Sequence, residues 1–324
     1  MLRVPHHWVW DSWYVDDGSR FHAFFLKAPM SLVDPELRHE HARVGHATST
    51  DLVNWELLPD ALAPSPGPAF DDAAIWTGSM VGPVDGVWHF LYTGISTSDG
   101  TRRQRIGHAT STDLTQWERT GESPVCNADP RWYSTIAQGG DLIEHWRDPW
   151  IIREGDHWRI LITAATTADP VIGSGCWATA VSDDLDHWTV EPPALTETRM
   201  FHLEVPQTIE IDGQWVGVFC LTGNDVRRSD LPRQTGTWTM PCDGPAGPFH
   251  LERAEPINVP GNYAGRIVEQ RDGTPVLMAF VDIDADGDFG GCIGDPVPLA
   301  RTDRGTLQPN VADPQSTFLG GSDA

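Results

Sequence analysis

Short apolar runs recur along the chain at wide and fairly regular intervals. Each run holds five or six residues that include the aromatic and β-branched side chains favoured in strands. No long segment shows the 3.6-residue period of a major helix. Neighbouring runs begin about 57 to 70 residues apart. The runs occupy residues 21–26, 88–92, 158–162, 215–219 and 275–280.

A repeated sequence follows these apolar runs and predicts the fold. Residues 43–55 (RVGHATSTDLVNW) recur almost unchanged as residues 105–117 (RIGHATSTDLTQW), and weaker copies occupy 178–188 and 236–249. Each period has room for four short strands, and stacked units of four strands are typical of propeller blades. The sequence therefore predicts an all-β fold: a five-bladed β-propeller. A β-sandwich with accidental internal similarity is the alternative.

Equivalent positions of the five units include three carboxylates. Counting back ten or eleven residues from the start of each run leads to Asp11, to residues 76–79, to Asp148, to Glu204 and to residues 262–265. Because rotational stacking places equivalent positions around one axis, we expect Asp11, Asp148 and Glu204 to converge at one mouth of the central channel.

The middle of the chain surrounds one of these acids with unusual neighbours. Residues 145–150 read His-Trp-Arg-Asp-Pro-Trp, so Asp148 lies beside Arg147 and between two indoles. Pro149 disfavours helix for the preceding residue and pushes it toward extended backbone. Indoles beside acids are typical of a sugar site, because aromatic faces cover C–H faces while carboxylates accept hydroxyls.

Paired carboxylates are what glycoside cleavage requires, one as acid and the other as nucleophile or as base for water. The apolar neighbours of Glu204 predict a raised pKa, which suits a general acid. Arg147 beside Asp148, and Ser12 beside Asp11, are expected to favour the ionised carboxylates.

These segments resemble those of glycoside hydrolase families 32 and 68, the clan of invertases and levansucrases. Residues 10–13 (WDSW) are similar to the segment that carries the nucleophile, and residues 76–79 (WTGS) to the segment that lines the fructose subsite. Residues 147–149 match the Arg-Asp-Pro motif, and Glu204 stands where the clan has its acid/base. The segments follow one another in the expected order, and the similarity covers most of residues 8–300.

The resemblance implies a retaining β-fructofuranosidase acting on sucrose or fructo-oligosaccharides, with transfer to a second sugar as a possible side reaction. Asp11 would be the nucleophile, Glu204 the acid/base and Asp148 the stabiliser of the transition state. Retention requires the Asp11 and Glu204 carboxyl groups to lie about 5 to 5.5 Å apart. Further side chains are expected to contact the sugar; they are Trp10, Trp13, Trp76, Ser79, Trp146, Arg147 and Gln207.

The sequence departs from the family pattern in two segments. Residues 203–207 read Leu-Glu-Val-Pro-Gln, not Glu-Cys-Pro or Glu-Arg-Pro, and the first motif is not Asn-Asp-Pro-Asn. Another furanoside therefore stays open as substrate. We expect the propeller to be a single domain over residues 1–305, followed by a short tail over 306–324 and by no C-terminal β-sandwich.

Three alternatives use the same scaffold. An inverting arabinanase-type furanosidase would need the carboxyl groups about 6.5 to 9.5 Å apart. A glycoside phosphorylase would need a cationic pocket, which a cluster of Arg102, Arg103 or Arg131 at the mouth would supply. A non-catalytic sugar-binding propeller has no need of three acids in register.

Composition limits the partners. The formal net charge is −24 and Lys27 is the only lysine, which argues against nucleic acid or anionic membrane as a partner and makes a phosphorylated substrate less favourable. The expected partner is a small carbohydrate, and the oligomeric state stays open. No apolar stretch approaches the roughly 20 residues of a membrane span, and the first residues lack the apolar core of a signal peptide.

Neither cysteines nor metal motifs indicate a cofactor. Five cysteines form no CxxC pair, so reduced thiols in a cytoplasmic protein are expected. Residues 282–288 imitate the start of an EF-hand loop, but position twelve is Ile293 rather than Glu. Residues 39–41 (HEH) lack HExxH spacing and a third ligand, although one of them is a candidate to reach the sugar site. We therefore expect no metal and no cofactor.

Overall fold

The structure is a computed structural model that describes residues 1–138, 143–166, 174–196 and 198–321. Within these ranges the chain forms five antiparallel sheets of four strands, and the strands of each sheet follow one another in chain order. The first strands of successive blades contact one another, and the last contacts the first. The chain is therefore the five-bladed β-propeller that the repeat predicted, and the first strands line its axis.

The strands have the following bounds. Blade one contains β1 (His7–Asp16), β2 (Phe21–Pro29), β3 (Arg43–Ser49) and β4 (Glu56–Leu62). Blade two contains β5 (Ala74–Val84), β6 (Val87–Ile95), β7 (Gln104–Ser111) and β8 (Glu118–Arg119). Blade three contains β9 (Trp146–Glu154), β10 (His157–Ala165), β11 (Gly175–Ser182) and β12 (Thr189–Leu195). Blade four contains β13 (Glu204–Ile211), β14 (Gln214–Leu221), β15 (Gly236–Cys242) and β16 (Glu255–Pro256). Blade five contains β17 (Asn262–Glu269), β18 (Pro275–Val281), β19 (Val297–Arg301) and β20 (Leu307–Pro309).

Helical structure in the described ranges is confined to short segments. One α-helix, α1 (Pro314–Phe318), follows the last strand, and none of the helices in these ranges has the length and apolar character needed to cross a membrane. The 3-10 turns are Met30–Leu32, Pro35–His41, Thr97–Asp99, Ile136–Gln138, Gly223–Asp225 and Leu251–Arg253.

The sequence patterns map onto defined strands. The apolar runs form the second strand of every blade, and the repeated segments begin in the third strands and continue into the turn that follows. In the first of these turns the Asp51 carboxylate accepts the backbone N–H groups of Val53 and Asn54, while Leu52 adopts a φ of 62° and is fully buried. The repeat is therefore a turn motif that docks a leucine between strands.

Residues of the repeat also join neighbouring blades. The ring of Trp117 lies edge-on to Phe24 of blade one at 5.8 Å and to Phe90 of blade two at 5.6 Å. Within single blades, the imidazoles of His46 and His22 lie within hydrogen-bonding distance at 2.9 Å in blade one, and those of His108 and His89 at 3.0 Å in blade two. Trp117 thus packs between two blades, and the repeated histidines pair within their own blades.

Blade five extends past residue 305, where the sequence suggested that it would end. Strand β20 pairs with β19, and Phe318 in α1 is fully buried against the core of this blade. Residues 306–321 are thus largely part of the propeller rather than a free tail. At the other end, the backbone of Leu2 pairs with that of Ile293 and joins blade one to blade five.

Candidate active site

Every innermost strand contains one extra residue at the equivalent position. In β1 the register shifts between Trp10 and Ser12, so Asp11 has no partner residue on β2. The other innermost strands, β5, β9, β13 and β17, shift at the corresponding place. A β-bulge re-aims the side chains beside it. The five bulges therefore turn side chains of all five blades toward the same mouth of the channel.

The bulges of blades three, four and five have unusual backbone geometry. Asp148, Val205 and Ala264 have φ values of 58°, 52° and 47°. Residues other than glycine rarely adopt this left-handed region, and when they do the surrounding structure must hold them there. Such positions cluster at binding and catalytic sites, so the strain points to the same end of the channel as the carboxylates do.

A cavity of about 370 Å³ lies at this mouth. Its volume falls within the range of small-molecule sites, roughly 300 to 1,000 Å³. Each blade contributes a polar side chain to the lining, in blade order Asp11, Thr77, Asp148, Glu204 and Tyr263. The structure thus brings together the three carboxylates whose register predicted convergence.

Asp11 is the carboxyl group of blade one. The hydroxyl of Thr77 donates a hydrogen bond to it from the bulge of blade two. Burial raises the pKa of Asp11 to about 7, and the nearby Asp148 and Glu204 add to this shift. Asp11 therefore holds a proton at pH values where an ordinary aspartate is fully ionised.

Asp148 is the most buried of the three, with 3% of its surface exposed. One carboxylate oxygen accepts the Thr163 hydroxyl at 2.9 Å and the Val205 N–H at 3.2 Å, while the Asp148 N–H donates to the Thr93 hydroxyl at 2.9 Å. Burial raises the pKa of Asp148, and Arg147, whose Nε lies 3.5 Å from the carboxylate, opposes the shift. The side chain is thus held by two strands and the backbone by a third before any ligand binds.

Glu204 receives a donor on each carboxylate oxygen. Arg147 Nη2 donates to Oε1 at 2.6 Å, and the Tyr263 hydroxyl donates to Oε2. Burial alone would raise the pKa of Glu204, but Arg147, His202 and the hydrogen bond from Tyr263 together hold it below its ordinary value. This corrects the expectation that apolar neighbours would raise the pKa of Glu204 and that Asp11 would be the readily ionised partner.

A buried arginine supports the Glu204 bulge from blade five. Arg266 is 2% exposed, and its Nη1 donates to the backbone carbonyls of Val205 at 3.3 Å and Pro206 at 2.5 Å. Burial lowers the pKa of Arg266 to about 10, and the carboxylates of Asp148 and Asp11 favour its charged form. The group remains a cation at neutral pH and compensates part of the acidic charge of the site.

Three of the seven side chains that were expected to contact the sugar line the cavity, namely Trp10, Trp76 and Arg147. The indole N–H of Trp76 donates to the His39 carbonyl at 2.7 Å, which fixes the ring against the loop of blade one. His39 itself lines the cavity, so one member of the 39–41 segment does reach the site.

The other four predicted contacts are corrected by the structure, because Trp13, Ser79, Trp146 and Gln207 lie outside the lining. Trp13 stacks on Phe90 at 5.4 Å, and Trp146 packs edge-on against Tyr133 at 5.0 Å. Both indoles are nearly fully buried. They fill the hydrophobic core, so their size serves packing rather than sugar binding.

Ser79 and Gln207 connect adjacent blades through the backbone. The Ser79 hydroxyl accepts the Ile151 N–H at 3.1 Å. The amide of Gln207 donates to the Ile267 carbonyl and accepts the Ile267 N–H, both at 2.8 Å, and so pairs the inner strands of blades four and five.

Replacing Gln207 with alanine is expected to destabilise the fold without changing the chemistry. The change leaves two buried backbone groups of Ile267 without partners and should cost roughly 2 to 4 kcal/mol of unfolding free energy. The exposed Gln214 offers a matched control, because Gln214→Ala should leave stability within about 0.5 kcal/mol of the parent chain. Urea unfolding measures the stability of both variants. A Gln207→Ala protein of unchanged stability would contradict the role of Gln207 in joining blades four and five.

The cavity also contains side chains that were not selected from the sequence. Thr77 and Tyr263 lie within the segments that the register marked, and His145 lies in the central stretch, so register alone could have found them. Others lie between strands and carry no periodic signal; they are Arg38, Ile143, Thr222 and Asp282, while Gln104 is the first residue of β7. Asp282 opens the segment that imitates an EF-hand, where Asp284 instead caps its own turn by accepting the N–H groups of Asp286 and Asp288.

The arginine cluster that a phosphorylase would need is not in the lining. Arg131 pairs with Asp129 at 2.6 Å, and Arg103 lies 3.5 Å from Glu144. Arg102 donates to the backbone carbonyl of Asp99. Among the residues that the structure describes, no group of three or more His, Cys, Asp or Glu side chains is arranged to hold a metal ion.

Known structures share this architecture. Inulosucrase from Halalkalicoccus jeotgali, bound to kestose, superposes with a TM-score of 0.77 over 98% of this chain and 91% of the other, at 18% identity. The β-fructofuranosidase catalytic domain of Microbacterium saccharophilum K-1 gives 0.71 over 91% and 79%, also at 18% identity. Bacillus subtilis levansucrase gives 0.69 over 95% and 89%, at 14% identity. These likenesses concern the fold.

Sequence comparison reaches the family level. Sucrose-6-phosphate hydrolase of Zymomonas mobilis is 28% identical over 257 residues, which is 74% of this chain and 46% of that protein. The Escherichia coli enzyme of the same name is 33% identical over 175 residues, 50% of this chain and 31% of the other. The chain thus spans less than half the length of these relatives. The family model of the Glycosyl hydrolases family 32 N-terminal domain matches residues 12–284, so the chain belongs to glycosyl hydrolase family 32.

Proposed function

We propose that the protein is a retaining β-fructofuranosidase that releases fructose from sucrose or fructo-oligosaccharides. The observation that carries the proposal is the convergence of Asp11, Asp148 and Glu204 in one cavity, each with different hydrogen-bond donors. The names of the relatives, which are sucrose-6-phosphate hydrolases and β-fructofuranosidases, support the same substrate class. A non-catalytic sugar-binding protein has no need for three bulges that carry acids, two of which are strained at Asp148 and Val205.

In the first step Asp11 attacks the anomeric carbon of the fructosyl unit, and the bond to the leaving oxygen breaks. Glu204 gives its proton to that oxygen, so the leaving sugar departs neutral and a fructosyl ester forms on Asp11. The pair formed by Arg147 and Tyr263 fixes the carboxyl group of Glu204 for this transfer.

In the second step a water molecule attacks the same carbon from the face that the leaving sugar has vacated. Glu204 takes a proton from the water, and the Asp11 carboxylate leaves, which restores the starting state with the original configuration. Asp148 stays in place throughout, held by Thr163 and Val205, where it binds sugar hydroxyls and stabilises the positive charge on the ring.

The pH dependence follows from the number of protons that Asp11 and Glu204 share. The reactive form has one proton, on Glu204, and the more stable one-proton form has it on Asp11. Both forms have the same total charge. A pH profile therefore reports the apparent pKa values of the pair rather than the pKa of either group. We expect kcat/KM to fall as the pH rises through about 7, because the pair then loses its last proton.

A change at Arg266 should shift the pH at which kcat/KM falls. Removing its charge in Arg266→Met should raise the pKa values of Asp11 and Asp148, so the descending limb of kcat/KM should move to higher pH. Arg266→Lys keeps the charge and should leave the limb in place. An unmoved limb in Arg266→Met, with the protein folded, would contradict the electrostatic role.

The function itself is tested by sugar release from sucrose, inulin-type and levan-type oligosaccharides and an aryl α-L-arabinofuranoside. Fructose released first as the β-anomer, followed by NMR before it equilibrates, supports the proposal. Arabinose release, or fructose of the opposite anomer, supports the inverting furanosidase instead. A rate that appears only when phosphate is added supports the phosphorylase.

The proposed location is the cytoplasm and the proposed partner is a small carbohydrate. All five cysteines are unpaired and buried, and reduced thiols are usual in that compartment. The net charge of −24 is unfavourable for binding nucleic acid or an anionic membrane.

A further inference from the structure

We propose that His145 donates a hydrogen bond from Nε2 to a hydroxyl oxygen of the leaving sugar, and so takes part in substrate selection. This inference rests on the proposed function and adds one contact to it. It follows from the direction of the hydrogen bonds around Arg147, which fix the position of the single N–H proton of the His145 ring. The cavity thus gains a neutral donor, which ionised carboxylates do not supply.

The contact with Arg147 determines which nitrogen of the His145 ring carries the proton. The Nη1 atom of Arg147 lies 3.0 Å from His145 Nδ1. A guanidinium has donors and no acceptor, so Nδ1 is the acceptor of this hydrogen bond. A neutral imidazole that accepts at one nitrogen carries its proton on the other. His145 is therefore the tautomer with its proton on Nε2.

Burial and two neighbouring groups keep this ring neutral. Burial lowers the pKa of His145 to about 2, and Arg147 and His202 add to the shift. The ring of His202 lies edge-on to that of His145, with 4.7 Å between the ring centroids, and supports its orientation. A proton on Nδ1 would point at the guanidinium of Arg147, so His145 donates through Nε2 alone at the pH where the enzyme is expected to work.

The Nε2 atom of His145 is free to meet a ligand. It forms no hydrogen bond with the residues that the structure describes, and it is not one of their buried polar atoms that lack a partner. It therefore keeps accessible surface, and the ring lines the cavity beside Ile143 and Gln104. An unpaired N–H at a binding site favours a ligand with an acceptor, because burying a donor without a partner is unfavourable.

His145 lies on the leaving-group side of the site. One guanidinium joins it to the proposed acid/base, since Arg147 contacts His145 through Nη1 and Glu204 through Nη2, the latter at 2.6 Å. Asp11 is held from another direction, by Thr77 of blade two. In the proposed reaction the departing oxygen takes its proton from Glu204, so the sugar attached to that oxygen lies next to His145.

Gln104 divides its hydrogen bonds in the same way. Its Oε1 accepts the backbone N–H of Trp146 at 3.0 Å and a hydrogen bond from Arg147 Nη1 at 3.3 Å. The NH2 group of its amide takes no part in these contacts and has donors only. Gln104 and His145 thus both use an acceptor to hold Arg147 and keep a donor for the cavity that they line. Two donors side by side favour hydroxyl oxygens as their partners.

Two substitutions separate the donor of His145 from its acceptor. In His145→Asn the side-chain oxygen can take the place of Nδ1 and accept from Arg147, but no N–H reaches the position of Nε2. The kcat/KM for sucrose should then fall by about 3- to 10-fold, the usual loss for one neutral hydrogen bond. The kcat/KM for fructosyl fluoride, which has no leaving sugar, should stay within about twofold of the parent value, because the lost contact is not made with that substrate.

His145→Gln makes the opposite change. Its amide NH2 group reaches the position of Nε2, while no acceptor remains at the position of Nδ1. The ratio of kcat/KM for sucrose to that for fructosyl fluoride should therefore stay close to the parent ratio, even where both values fall because Arg147 is held less firmly. His157→Asn is the matched control and should change neither value, because His157 lies in the same blade, outside the lining, with 66% of its side chain exposed.

Deoxy sugars identify the hydroxyl that accepts from His145. Sucrose analogues that each lack one hydroxyl of the glucosyl unit are compared in the parent chain and in His145→Asn, as a double-mutant cycle between enzyme and substrate. For the accepting hydroxyl, the parent should lose about 3- to 10-fold in kcat/KM, and the variant should show no such loss. Losses that simply add for every hydroxyl overturn the inference, because the N–H then has no partner on the leaving sugar.

The other outcomes separate this inference from the proposed function. An equal loss on sucrose and fructosyl fluoride in His145→Asn overturns the inference, because the contact is then not with the leaving sugar. An unchanged rate on both substrates also overturns it. Unfolding curves that match the parent show that the variant is folded, and its rate on fructosyl fluoride shows that the acids are in place. A parent chain that releases fructose from neither substrate overturns the proposed function, and the inference with it.

Discussion

Replacing Asp11 with asparagine is expected to lower kcat for sucrose by roughly 10⁴-fold or more, because no ester can form without the nucleophile. The change is nearly isosteric, so the hydrogen bond with Thr77 and the bulge of β1 should be kept. The measurement is glucose and fructose release over hours, with unfolding curves to show that the variant folds like the parent chain.

A second aspartate on the same strand provides the control. Asp16 ends β1, where its carboxylate pairs with Arg271 at 3.0 Å on the surface. Asp16→Asn makes the same chemical change on the same strand and should leave kcat within about twofold, since surface changes of this kind are usually small. If Asp11→Asn keeps more than about one hundredth of the parent rate, Asp11 is not the nucleophile, because loss of a nucleophile costs far more than that.

The Asp11 variant also tests how the site titrates. The descending limb near pH 7 belongs to the pair formed by Asp11 and Glu204, and asparagine removes one member of that pair. Binding of an unreactive fructoside to Asp11→Asn should then lack the proton dependence that we expect of the parent chain near pH 7. Calorimetry in buffers of different ionisation enthalpy measures this difference.

The fold could be predicted from the sequence because this propeller repeats the same four-stranded unit five times. Apolar runs and the turn motif mark the second and third strands of the blades, and counting back from the runs reached the channel mouth without any knowledge of the structure. The same regularity located Asp11, Asp148 and Glu204. Rotation about one axis brings residues at equivalent positions of the blades close together.

The sequence did not indicate which side chains near the acids line the cavity, because this depends on the direction in which each side chain points around the bulge. One extra residue reverses the facing of every residue beyond it. Trp13 follows the bulge of β1 and therefore packs in the core, although it is close in sequence to Asp11. Trp146 precedes the bulge of β9 and also packs in the core, two residues before Asp148. Arg38 and Asp282 come from loops, whose packing against the cavity has no periodic signature.

The pKa assignments were reversed for a related reason. Apolar neighbours in the sequence suggested a desolvated Glu204, but its environment is set by groups from other blades. Arg147 and Tyr263 lie 57 and 59 residues away in the chain, and both donate to its carboxylate. The local sequence predicts the burial of a side chain better than it predicts the groups that contact it. For Glu204 those contacting groups set the direction of the pKa shift.

Replacing Glu204 with glutamine should produce a defect that depends on the leaving group. Sucrose needs a proton at its departing oxygen, so its hydrolysis should slow by about 10²- to 10⁴-fold. Fructosyl fluoride leaves without that proton, so the first step should remain fast. The fructosyl ester on Asp11 should then accumulate, because no base activates water for the second step. Intact-protein mass measured soon after mixing should show one added fructosyl unit.

Azide distinguishes this role from a merely structural one. Azide is a nucleophile that needs no general base, so it should release the fructosyl unit from Glu204→Gln as fructosyl azide of retained configuration and restore turnover. The exposed Glu210 at the far end of β13 is the control, and Glu210→Gln should behave like the parent chain with both substrates. An equal loss of rate on sucrose and fructosyl fluoride, with no response to azide, would show that Glu204 supports the site through Arg147 and Tyr263 instead of moving the proton. The contrast matters because these two donors already fix Glu204 in the free protein, so position and proton transfer can be separated only by the chemistry of the leaving group.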